Sequence, residues 1–198
     1  MTKSIILCAS ILGISFAAMA ASPLLGKDLV LDHNRWSVDC DTFSSKLDTG
    51  TSLFVEGVAT AKFRQGRTQR YNDNTYVEMF CKLTGGNLDS VETIHIVYRS
   101  SDSLVVKFSQ PDLSDPPEGD GSYALYQYKI GDSPDTFAVA DIPIWYSSQP
   151  EWTPRKSKNV TFKPEKVNTL YFSPNLDDKI GGKAEIEIKS ISMFPKQN

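Results

Sequence analysis

Two histidines and three cysteines in 198 residues leave little material for metal or thiol chemistry. His33 and His95 are the only imidazoles, and no Cys-x-x-Cys pair occurs. His-Glu-x-x-His, a phosphate-cradling glycine loop and a Ser-His-Asp order are also missing, which removes the motif-bearing hydrolase and nucleotide-binding classes. Charge of one sign is lacking too: 21 Lys and Arg stand against 24 Asp and Glu, a net charge of -3. The basic residues are scattered, and the densest cluster, Arg155-Lys156-Ser157-Lys158, reads as a solvated loop. That excludes the basic stripe of a nucleic-acid binder. No segment carries a helical period, and no apolar run is long enough to span a membrane.

What is present begins with an export signal. Lys3 supplies a positive start, Ile5 to Ala17 a short apolar run, and Ala18-Met19-Ala20 a small-residue cleavage site. Cleavage after Ala20 is expected, leaving residues 21–198 as one domain, secreted or periplasmic. Cys8 departs with the signal. Cys40 and Cys81 remain, an even pair in an oxidising compartment, and a disulfide between them is expected. Closing that loop of about 40 residues would contribute roughly 3–4 kcal/mol.

The mature chain alternates. Ile94, Ile96 and Tyr98 share one parity, with His95, Val97 and Arg99 on the other. After the polar break Ser100-Ser101-Asp102-Ser103 the alternation resumes through Leu104, Val106 and Phe108. A period of two sends alternate side chains to opposite faces, so the pair predicts a central antiparallel hairpin with His95, Arg99 and Lys107 on one polar face. Further strands are expected at 35–40, with Trp36 in the core, and at 52–61, with Gly57 at a bulge or close approach. Others are expected at 76–83, 122–130, 136–144, 159–162, 167–173 and 183–194. Ile186 and Ile188 keep one parity while Ile191 and Met193 take the other, which predicts a bulge near Lys189 or Ser190. Pro143 fits only an edge strand or a bulge. About ten short strands with turn-rich loops argue for an all-β, two-sheet antiparallel jelly-roll sandwich.

Three stretches carry a resemblance. Asn87 to Ile94 runs on through Arg99-Ser100-Ser101-Asp102 and Leu104-Val105-Val106. The second stretch is Ala140-Asp141-Ile142-Pro143-Ile144 with Gln149-Pro150-Glu151-Trp152. The third pairs Val167 to Phe172 with Ala184 to Ile191. In this order they resemble the galactose-binding-like jelly rolls used as carbohydrate-binding modules in secreted bacterial polysaccharide-degrading systems. The resemblance implies non-catalytic binding of a polysaccharide or oligosaccharide. Many such modules hold a structural calcium through an aspartate in the last strand. Lys189 and Ser190 stand there instead, and a lysine cannot coordinate a cation, so the expected cofactor set is empty or at most that calcium. Asp112, Asp115, Glu118 and Asp120 read as a solvated acidic loop before an oxygen-rich site.

Sugar recognition needs apolar ring faces beside groups that hydrogen-bond hydroxyls. The expected ligand-binding residues are therefore Arg99, Tyr126, Tyr128, Trp145, Trp152 and His95, against the plainer reading of the two tyrosines as core and of Trp152 as an end plug. Two other classes stay open. Glu185 and Glu187, or His95 with Arg99 and a tyrosine, could be drawn as glycosidase or lyase chemistry. A sandwich with no catalytic module attached could instead be a scaffold contacting other secreted or cell-surface proteins.

Overall fold

The computed structural model describes residues 24–40, 46–47, 53–64, 76–110, 124–153, 155, 157–158, 160–175 and 182–196. The export signal at 1–20, the acidic loop at 111–120 and Tyr123 lie outside the described residues. The strands are β1 (Trp36–Cys40), β2 (Lys46–Leu47), β3 (Phe54–Val55), β4 (Val58–Arg64), β5 (Val77–Lys82) and β6 (Val91–Ser100). They continue as β7 (Leu104–Gln110), β8 (Ala124–Ile130), β9 (Ser133–Pro143), β10 (Thr169–Pro174) and β11 (Lys183–Pro195). Short 3-10 turns occupy 29–31, 33–35, 144–146 and 164–166. The expected strand at 159–162 does not form over its described residues.

Two antiparallel sheets pack face to face. One has five strands in the order β1-β5-β10-β7-β8; the other has six, β2-β4-β11-β6-β9 with β3 also on β4. The expected all-β sandwich is present. The expected hairpin is not: β6 and β7 are consecutive in sequence but belong to opposite sheets. Both runs have one fully apolar parity, so each buries it against the other across the interface rather than side by side. Ile94, Ile96, Leu104, Val106 and Phe108 are all completely buried. The four-residue break makes the crossing. Ser101 N still donates to Glu185 O of β11 (3.1 Å), whereas Ser103 O accepts from Asn175 N just past β10 (2.7 Å). Lys107 therefore projects from the opposite side of the molecule to His95 and Arg99.

Other readings hold locally. Trp36 is buried, its Nε1 donates to Leu29 O at 3.0 Å, and its ring stacks on Phe172 at 5.9 Å. The register of β11 on β6 shifts between Ile188 and Ser190, which makes Lys189 the extra residue. Pro143 ends β9, which lies at a sheet edge. Gly57 is corrected: Glu56 and Gly57 both have positive φ (50° and 80°) and form the two-residue turn joining β3 to β4.

The expected Cys40–Cys81 disulfide is overturned. Both cysteines lie on the β1/β5 pair, but Cys40 faces Val77 and Cys81 faces Trp36. Four rungs of ladder put them about 13 Å apart, against a limit of about 7 Å for a bridge. Neither cysteine is in a disulfide. The sequence placed both on core strands but carried no information about their register.

Candidate functional site

Each sheet has an outward face, and the two faces differ. On the five-stranded sheet, register sets three rows. The middle row is Ser37–Phe80–Tyr171–Lys107–Gln127, crossing all five strands. On one side runs Asp39–Glu78 and Ser173–Val105–Lys129; on the other, Lys82–Thr169–Ser109–Leu125. Outward residues on a bulging sheet stand in water, yet Ser109, Thr169 and Ser173 are buried. The long side chains of Lys107 and Glu78 are only 16% and 13% exposed. The middle of the face is recessed, a trough in which short buried side chains flank the Phe80–Tyr171–Lys107 row, while Ser37, Asp39, Lys82 and Lys129 toward its ends are exposed.

At its centre Phe80 and Tyr171 lie 5.3 Å apart with their planes tilted by 40°. Beside them Glu78 Oε2 accepts from Lys107 Nζ at 3.0 Å and from Ser173 Oγ at 3.0 Å. At the β1 end the Tyr76 hydroxyl donates to Asp39 Oδ2 at 3.2 Å. Burial and the neighbouring Asp39 charge push that phenol up to about 12, so it stays a donor. The trough thus offers a two-ring apolar platform flanked by an ammonium–carboxylate–hydroxyl chain, with the Gln127 amide beyond Lys107, the combination that pyranose faces and hydroxyls require.

The six-stranded sheet presents the other face, buried at Thr60 and mostly buried at Glu187 but exposed along β9 and at the end of β11. Its rows are Thr60–Glu187–Arg99, Ser190–Val97–Val139, Ser192–His95–Asp141 and Phe194–Thr93–Pro143. Arg99 is ion-paired with Glu187, which raises the guanidinium pKa further. His95 Nδ1 lies 2.7 Å from Asp141 Oδ1. Ring contacts bind the row ends: His95 meets Phe194 edge-on at 5.9 Å, and Arg99 stands 5.4 Å from the Phe137 ring.

The six expected ligand-binding residues do not converge. His95 and Arg99 lie on this face. Tyr126 and Tyr128 point inward from the edge strand β8, opposite Phe108 and Val106, and pack against the core. The Tyr126 hydroxyl donates to Val160 O at 2.7 Å, and burial raises its pKa. Trp145 sits in the turn after β9, 50% exposed, its ring 5.9 Å from Phe162, which lies in turn 4.8 Å from Tyr126 at a 38° tilt. Trp152 is 54% exposed, so it does not plug the sandwich end. The trough residues Phe80, Tyr171, Glu78 and Gln127 were missed. The available signal was that Phe80 and Tyr171 occupy the non-core parity of their strands, where an aromatic has no packing reason to be.

No protein-family model matches the chain, and no curated protein matches it. Solved structures do. The family 11 carbohydrate-binding module of a cellulosomal cellulase of Clostridium thermocellum superposes with a TM-score of 0.59 at 12% identity, over 88% of this chain and 97% of that one. The family 11 module of Clostridium thermocellum in complex with a β-1,3-1,4-mixed-linked tetrasaccharide matches with a TM-score of 0.55 at 12% identity, over 83% and 91%. At that identity the likeness is one of fold: the chain has the jelly-roll β-sandwich architecture of these modules.

Proposed function

We propose that a chain with this fold is a non-catalytic binder of a polysaccharide, exported from the cell, and that the polymer lies along the trough of the five-stranded sheet. The observation that carries this reading is the Phe80–Tyr171 ring pair set in one trough with the Lys107–Glu78–Ser173 chain. The rings stack on the apolar face of a pyranose, while Glu78, Lys107 and Gln127 exchange hydrogen bonds with its hydroxyls. Glu78 accepts from an ammonium and a hydroxyl, an arrangement that suits a hydrogen-bond acceptor toward sugar hydroxyls. The solved family 11 module carrying a mixed-linked tetrasaccharide makes neutral β-glucan the first ligand to try.

The test is affinity electrophoresis of the chain from residue 21 in gels containing soluble β-glucan, xylan, mannan or pectin. Retardation by a neutral glycan is expected. Tyr171→Ala or Phe80→Ala should weaken it about tenfold, the loss of one stacking ring. Retardation in none of the gels contradicts the reading.

A further inference from the structure

The outward face of the six-stranded sheet carries a second feature. Nine large hydrophobic side chains are exposed among the described residues, and five of them, Phe137, Val139, Trp145, Tyr146 and Phe194, lie on this face or at its end. They form a stripe along β9 toward the end of β11, with Val97 and the His95 ring between. From Phe137 to Pro143 the stripe covers about 20 Å of strand, and Trp145 follows in the next turn. Such a stripe of exposed rings marks a contact surface.

Each end of the stripe repeats one unit, a ring with an ammonium over it. Lys189 Nζ lies 5.3 Å from the Phe137 centroid, and Lys196 Nζ lies 4.5 Å from that of Trp145. The β11 bulge is what brings Lys189 out: its unpaired residue is re-aimed toward the edge strand. No ion pair joins either lysine to a carboxylate among the described residues, whereas three carboxylates of the face are engaged. Glu187 is paired with Arg99, Asp141 with His95 and Glu185 with Lys62. A ring with an uncommitted ammonium fits a pyranose that bears a carboxylate: the C–H face covers the ring while the carboxylate takes the ammonium. Two such units separated by several sugar lengths fit a polymer rather than a single sugar.

We propose that this stripe is a second polysaccharide site, specific for an acidic, uronate-containing chain, on the opposite side of the molecule from the trough. Titration calorimetry of the chain from residue 21 with polygalacturonate at low salt tests it, with neutral β-glucan and phosphatidylserine vesicles as parallel titrants. Binding of polygalacturonate that weakens with added salt is expected. Lys189→Ala and Lys196→Ala should each weaken it about two- to fivefold, and the Phe137→Ala/Trp145→Ala double variant should lower it by at least about tenfold. If that double variant unfolds, Lys189→Glu/Lys196→Glu, which leaves the rings in place, should abolish binding. Tyr171→Ala should leave polygalacturonate binding intact, so failure of the trough reading does not touch this result. The proposal is overturned if polygalacturonate is not bound, if it is bound equally by the stripe variants, or if only the vesicles bind.

Discussion

Cys81 shows what the core does to one residue. It is completely buried, and burial pushes its thiol up to about 12, with the nearby Arg35 charge only partly opposing. The fold stabilises the protonated form, so that contribution is complete below the ordinary thiol value and is lost as pH rises toward about 12. Stability measured by chemical denaturation should therefore fall through the alkaline range, and Cys81→Val should remove part of that slope. At neutral pH a maleimide should label Cys40, which is half-buried, well before Cys81; equal rates would contradict the burial. Gln110 does a different job. Its Nε2 donates to Thr161 O at 3.1 Å and its Oε1 accepts from Lys163 N at 2.8 Å, tying the end of β7 to the segment that carries Phe162. Gln110→Ala removes two part-buried side-chain to backbone hydrogen bonds and should cost about 1–3 kcal/mol in a denaturation curve.

Among the elements, β11 holds the six-stranded sheet together, paired with β4 over its first half and with β6 over most of its length. Ile186, Ile188 and Ile191 are all fully buried despite the parity switch at Lys189. Ile188→Ala should destabilise by about 2–5 kcal/mol, a much larger effect than any substitution on the exposed stripe. The bulge was legible in the sequence because a strand that changes hydrophobic parity partway must take an extra residue into its ladder to keep both halves facing the core. Strand positions were legible from the same alternation. Partner choice was not. The pattern through Ile94 and Phe108 fits a hairpin and a sheet-to-sheet crossing equally well, because both bury the same parity. That ambiguity put Lys107 on the wrong side. It also hid the trough, whose floor is assembled from β5, β10 and β7, distant in sequence. Phe80 and Tyr171 meet only through the register of β5 on β10.

For the whole molecule, no bridge between Cys40 and Cys81 adds to the core. A thermal melt with and without dithiothreitol should give the same midpoint; a drop on reduction would contradict the register of β1 on β5. The two sheets then divide the surface by shape and chemistry. One face sets a Lys107–Glu78 pair beside two rings in its trough; the other exposes ring and ammonium units. A chain with both faces active could bridge two polymers of different charge, a geometry that a single-site module lacks.

The trough is tested most directly by titrating soluble mixed-linked β-glucan into the chain from residue 21 and into its Phe80→Ala and Tyr171→Ala variants. Saturable heat from the parent chain, reduced about tenfold in affinity in each variant while Lys189→Ala binds as the parent does, is the expected result. Glucan binding that survives both ring deletions would mean that the polymer lies elsewhere, and the trough would lose its assignment.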